Sequence, residues 1–284
     1  MNDKNNINNK KAVGIFDSGL GGLCAVKEAL KILPYEDIVY FGDTGRVPYG
    51  SKSYETIKKY ARQDMNFLIN EKKVKMILIA CGTVSSVAID YLKEIFPDIP
   101  IIGVVETACE KAVSIAKETK NKNIGVIATE ATISKGMYKK YISELDENCK
   151  VYSKACPLFV PLVENGHVSD GDIITKSAAE YYLSELKNLN LSSLILGCTH
   201  YPMIKNIIYK VVSTELIDVG LEAAYKLKRE LTERNLLNAN ADAGKKGSLD
   251  IYISDEGLNF RNIASGFLGF DIKSGVTKID IEKF

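Results

Sequence analysis

The chain has 284 residues, room for two compact domains, and 46% hydrophobic and 26% charged side chains, the balance of a folded soluble protein. Its formal net charge is +1, so no global field draws in nucleic acid or an anionic membrane, and neither is an expected partner. No apolar run approaches the roughly 20 residues of a membrane helix. Segment 1–11 is rich in Asn and Lys and lacks the apolar core of a secretory signal; it reads as a frayed tail, and the protein as cytoplasmic.

In chain order, residues 12–16 and 38–41 predict buried strands. Between them Leu23, Val26, Leu30 and Leu33 share one face of a helix that stops at Pro34. Residues 74–80 and 101–105 continue the series, and Val84, Val87, Ala88, Tyr91, Leu92 and Ile95 between them predict one helix ending before Pro97. Strands at 124–128, 193–196, 216–219 and 249–254 follow. This alternation implies βαβ units, hence an α/β fold of two similar domains with mainly parallel sheets flanked by helices. The stretch 235–248 reads as a long loop, and the segment beyond it is too short to fold alone, so it should return to the N-terminal half. The expected domains are therefore 12–105 plus 216–284, and 106–215.

Six cysteines need an account: Cys24, Cys81, Cys109, Cys149, Cys156 and Cys198. A reducing compartment argues against disulfides. With no C-x-x-C pair and only His167 and His200, a zinc site has little support. Each cysteine is by default a small buried hydrophobe. Two of them, however, stand in matching surroundings. Ile77-Leu78-Ile79-Ala80-Cys81-Gly82-Thr83 echoes Leu194-Ile195-Leu196-Gly197-Cys198-Thr199-His200: an apolar strand, a small residue, Cys, then Thr and a helical pattern. Ligands of open α/β sheets bind at the carboxyl ends of strands, and a following helix N-terminus favours thiolate. A free thiol titrates near pKa 8.5, so one sulfur can serve as base while the other serves as acid. Two opposed thiols suit removal of a proton from one face of a carbon and its return to the other.

Other turns add polar groups. Asp17-Ser18-Gly19-Leu20-Gly21-Gly22 follows the first strand; it could cradle a phosphate, but lacks the Gly-Lys-Ser/Thr ending of a P-loop and the dinucleotide spacing. The loop from Asp43 to Ser51, with Pro48-Tyr49-Gly50, could close over a small ligand. His200 adjoins Cys198. Glu164, taken alone, reads as an exposed loop carboxylate.

Together these motifs, from Phe16-Asp17-Ser18-Gly19-Leu20-Gly21-Gly22 through Asp43-Thr44 and Pro48-Tyr49-Gly50 to Gly197-Cys198-Thr199-His200-Tyr201-Pro202, resemble the glutamate racemases of the aspartate/glutamate racemase superfamily. The resemblance runs from about Ala12 to Ile217. It implies two α/β domains with the active site between them, and Cys81 and Cys198 as acid/base thiols acting on D- and L-glutamate respectively. It implies Asp17, Glu164 and His200 as their polar partners. Ser18, Tyr49, Gly50, Thr83 and Thr199 would hold the carboxylates and ammonium of the substrate, with Asp17, Gly82 and His200 beside them. Glutamate is the implied small-molecule substrate; no metal or other cofactor is expected, the assembly expected is a homodimer, and the implied role is supply of D-glutamate for peptidoglycan. One position departs: the usual Cys-Asn-Thr is here Cys81-Gly82-Thr83, which removes an amide from the substrate's surroundings. The rival readings are an aspartate racemase of the same superfamily, a noncatalytic dicarboxylate-binding protein on this fold and, from the glycine turn alone, a nucleotide-binding protein.

Overall fold

A computed structural model describes residues 9–238, 244–257, 260–272 and 275–284. Most of the expected tail thus lies outside the described residues. Two parallel sheets organise the chain. The first contains β1 (Val13–Asp17), β2 (Ile38–Gly42), β3 (Met76–Ile79), β4 (Ile101–Gly103), β9 (Leu249–Ile253) and β10 (Val276–Lys278), in the order β10-β9-β2-β1-β3-β4. The second contains β5 (Asn123–Ala128), β6 (Lys150–Ala155), β7 (Ser193–Leu196) and β8 (Glu215–Asp218), ordered β6-β5-β7-β8. Every pairing in both sheets is parallel.

The order β2-β1-β3-β4 in one sheet recurs as β6-β5-β7-β8 in the other. The echo between the two cysteine turns is thus a repeat of topology, since β3 and β7 are equivalent strands. In each sheet the chain runs from the first strand to a neighbour on one side, then crosses to the other. That reversal opens a crevice at the strands' carboxyl ends.

Four elements depart from the expected pattern. Strands β6 and β10 sit at sheet edges, where one side meets water, so neither carries an apolar run; sequence periodicity did not reveal them. Strand β8 pairs with β7, so the segment from 216, assigned above to the first domain, begins inside the second sheet. The single helix expected across 84–95 is two, Gly82–Val87 and Ile89–Ile95, broken at Ala88. Strand β9 pairs with β2.

Local chemistry starts several helices. Ser53 Oγ accepts from the Thr56 amide to cap helix Tyr54–Asn66, and Asp218 accepts from the Gly220 and Leu221 amides to cap helix Val219–Glu233. The latter helix packs on Leu23–Ile32 from the first lobe and on Val104–Glu118. Through these three helices one apolar cluster runs across both lobes, from Val13 and Ile15 to Ile195 and Leu227. Leu227, fully buried there, contributes about 2 kcal/mol by leaving water. Shared packing at the back leaves the carboxyl ends of the two sheets facing each other at the front.

Candidate active site

Between those ends lies a cavity of about 400 Å³, lined by both cysteine turns, Ser18, the loop around Tyr49 and Gly50, and Glu164 from helix Phe159–Glu164. Cys81 caps the short helix Gly82–Val87 at the end of β3. Its Sγ donates to Ser18 Oγ at 3.4 Å, across the crevice between β1 and β3. Burial, and after it the charge of Asp17, push the Cys81 thiol up to about 12. The expected thiolate preference is therefore reversed here: the helix end is present, but desolvation outweighs it.

Cys198, at the end of β7, has different company. It precedes a 3₁₀ turn, Tyr201–Ile204, and not an α-helix. His200 Nδ1 lies 3.7 Å from Cys198 Sγ, and His200 Nε2 lies 2.9 Å from Glu164 Oε1. Burial pulls His200 down, but its hydrogen bonds to Cys198 and Glu164 raise it to about 10. The imidazole is thus an imidazolium at neutral pH, strung between a carboxylate and a sulfur. Glu164, read from sequence as an exposed loop residue, is a half-buried helix-end carboxylate committed to this chain of proton carriers.

Asp17 is nearly inaccessible and stands behind the wall. Its Oδ2 accepts from the Gly19 amide at 2.9 Å and its Oδ1 from Thr199 Oγ1 at 3.4 Å. Burial raises its pKa, while the charge of His200 opposes the rise. Asp17 thus joins the two lobes through Thr199 rather than facing the cavity.

Tyr49 lines the cavity, yet its hydroxyl donates to Asp43 and lies 3.2 Å from Asp64 Oδ2. Both carboxylates are fully buried. Arg46 ties them together, with Nε 2.6 Å from Asp43 and Nη2 3.1 Å from Asp64, its guanidinium lying 4.0 Å from the centre of the Tyr60 ring. The Tyr49 hydroxyl is therefore committed to this buried network. Ser18, Gly50, Gly82, Thr83 and Thr199 also line the cavity.

Sequence reasoning passed over Thr129 and Glu130, which line it too. The Thr83, Thr129 and Thr132 hydroxyls form a triangle with sides of 2.9, 3.0 and 3.3 Å. The signal was present: Thr129 and Glu130 follow β5 as Ser18 follows β1. His167 is bound 2.9 Å from Asp172 at a helix start, away from the cavity. Cys24, Cys109, Cys149 and Cys156 are free, buried and outside the cavity wall.

The profile of the Asp/Glu/Hydantoin racemase family matches residues 26–227. The chain belongs to this family. Among curated relatives, the glutamate racemase of Thermoanaerobacter sp. (strain X514) is 40% identical over 276 residues, covering 96% of this chain and 99% of the relative. That of Chlorobaculum tepidum is 41% identical over 268 residues, covering 94% and 95%. Among solved structures, the glutamate racemase of Francisella tularensis subsp. tularensis, in complex with D-glutamate, superposes with a TM-score of 0.88 at 40% identity, covering 97% of this chain and 100% of that one. Among the described residues, no helix of this family member is long and apolar enough to cross a membrane.

Proposed function

We propose that this protein interconverts L- and D-glutamate by two-thiol acid/base chemistry. The observation that carries the reading is the pair of buried cysteines at equivalent strand ends, lining one cavity from opposite lobes. Cys198, backed by His200 and Glu164, removes the α-proton of L-glutamate, and the Cys81 thiol delivers a proton to the other face. The reverse reaction exchanges these roles. Asp17 positions Thr199 and the Ser18 turn.

An amino acid's own carboxylate opposes carbanion formation, so the site must stabilise developing charge with fixed donors in a dry cleft. No Lys or Arg is among the described residues lining the cavity. The carboxylates are therefore held by hydroxyls and amides: Ser18, Thr83, Thr129 and Thr199, with backbone at Gly50 and Gly82. A well-aimed donor contributes about 2.7–4 kcal/mol to the transition state. Two thiols complete the proton bookkeeping, so neither a metal ion nor pyridoxal phosphate has a step to perform.

The reaction supplies D-glutamate for peptidoglycan, in the cytoplasm, from a protein assembled as a homodimer. Chiral chromatography of D- and L-glutamate incubated with purified protein, after exhaustive dialysis against EDTA, tests the reading. Racemisation should persist, with solvent deuterium entering the α-position. Activity restored only by a divalent metal, or preference for D-aspartate, would refute it.

A further inference from the structure

Resting on the racemase reading, we propose that Asp64 is a positioning residue kept in its protonated form: it donates its proton to Tyr49 Oη, which donates its own to Asp43, and this chain anchors the cavity wall at Tyr49 and Gly50. A phenol carries one proton. The Tyr49 hydroxyl nevertheless meets a carboxyl oxygen of Asp43 on one side and Asp64 Oδ2, at 3.2 Å, on the other. With both acids ionised, one of these contacts would set two oxygens face to face with no hydrogen between them. Water cannot relieve it, because Asp43, Asp64 and Tyr49 are all buried. One proton on the pair of acids resolves the conflict.

The partners of each oxygen say where that proton sits. Asp43 Oδ2 accepts from Arg46 Nε at 2.6 Å and from Tyr49, so a proton there would displace a donor. Asp43 Oδ1 is buried with no hydrogen-bond partner among the described residues, so a proton there would have no acceptor. Asp64 Oδ1 accepts from Arg46 Nη2 at 3.1 Å. Asp64 Oδ2 faces the Tyr49 oxygen and is the position from which a proton can be donated.

The charges agree. Arg46 is the cation of the network, and its Nη1 donates to Gln63 Oε1 at 2.7 Å and meets the exposed Glu282 at 3.1 Å. It balances one buried carboxylate, not two. Burial, and after it the charge of Asp43, hold Asp64 well above the usual carboxylate range against the pull of Arg46, and Asp17 adds to the rise.

The chain matters to the cavity because Tyr49 opens the turn Tyr49–Ser51. In that turn Gly50 stands against the other lobe, where a Cβ would fall 2.9 Å from Thr129 Cβ. A shift of Tyr49 therefore moves the backbone offered to the substrate at Gly50. A neutral Asp64 also keeps a second negative charge from behind a cavity whose described lining holds no Lys or Arg and whose substrate is a dicarboxylate.

The experiment compares the parent with Asp64→Ala, Asp64→Asn and Asp43→Asn by steady-state racemisation of glutamate and by infrared spectroscopy. Asparagine reproduces a protonated carboxyl group, with an amide to donate to Tyr49 and a carbonyl to accept from Arg46, but it cannot replace a carboxylate. Asp64→Ala should raise KM roughly tenfold, the scale of one lost hydrogen bond, with kcat changing less than about threefold. Asp64→Asn should restore the parental KM. Asp43→Asn removes the counter-ion of Arg46 and should raise KM at least as far as Asp64→Ala. At neutral pH the infrared difference of parent minus Asp64→Asn should show the C=O stretch of a protonated carboxyl group, the other buried acids being common to both proteins. Absence of that band overturns the inference. So does an Asp64→Asn that is unfolded or as impaired as Asp64→Ala, or an Asp43→Asn with parental KM. Should circular dichroism show Asp64→Ala unfolded, the two Asn variants and the infrared band decide by the same criteria. A parent protein that leaves both enantiomers of glutamate unchanged refutes the racemase reading, while the infrared band still tests the proton on Asp64.

Discussion

The two cysteine turns occupy equivalent places in equivalent sheets, yet their surroundings are opposite in character. Around Cys81 stand a hydroxyl, Ser18, which eases the thiol down, and a buried carboxylate, Asp17; burial and that carboxylate outweigh the hydroxyl and leave the sulfur protonated. Around Cys198 stands an imidazolium held by Glu164. Topology places a sulfur at the end of β3 and of β7; groups from other segments then decide what each sulfur does with a proton. A duplicated scaffold therefore need not give duplicated chemistry.

The largest test of this asymmetry removes one sulfur at a time. Cys81→Ser and Cys198→Ser should each lower racemisation on the order of 10³-fold or more, because a serine hydroxyl is too weak an acid to become a base at neutral pH. Free L- and D-glutamate are equally stable, so kcat/KM must match in the two directions, and racemisation alone cannot show which thiol serves which enantiomer. Irreversible elimination can. Cys81→Ser should process the L-form of a glutamate analogue bearing chloride on its β-carbon through Cys198, and Cys198→Ser the D-form through Cys81. If both variants favour one enantiomer, the two-thiol assignment fails.

Next in size is the loss of the proton carrier on one side. His200→Asn should lower kcat by roughly 10²-fold with little change in KM. Its pH profile sharpens the point. His200 is raised from 6.5 to about 10, so the folded state holds this proton more tightly than the unfolded chain. The stability it contributes is complete below pH 6.5 and is lost as pH rises through about 10. The parent kcat/KM should fall across the same alkaline limb. A limb that persists unchanged in His200→Asn would assign it to another group.

Asp17 acts through Thr199 and Gly19, so Asp17→Asn should cost less, on the order of tenfold in kcat, the scale of one lost hydrogen bond of about 1.4 kcal/mol. Parental turnover in that variant would make Asp17 a purely structural residue. Smallest is the effect of Arg46→Lys, which loses the fork that spans Asp43 and Asp64. The Tyr49 wall should loosen, raising KM a few-fold at nearly unchanged kcat and lowering the melting temperature. A variant with parental KM would detach this buried network from the cavity.

Much of this protein was legible from sequence because burial writes itself into composition. Central strands covered on both faces must be apolar throughout, so β1, β2, β3, β5 and β7 each stand out as a Val-, Ile- or Leu-rich run, and the residue after each run marks a strand end. The cysteine turns were readable for that reason. Edge strands β6 and β10 meet water and carry no such run. The break at Ala88 interrupts no apolar stripe. Strand β8 looks the same whichever sheet receives it.

What only the tertiary structure decided are meetings between distant segments. Glu164 and His200 are 36 residues apart and Asp17 and Thr199 are 182 apart; no local periodicity records either contact. Burial also set the state of Cys81, against the pull of the helix end that its sequence position announces. Hydrophobic pattern is a property of one segment and its solvent, whereas protonation and spacing depend on what other segments bring near, and that is settled only when both sheets pack.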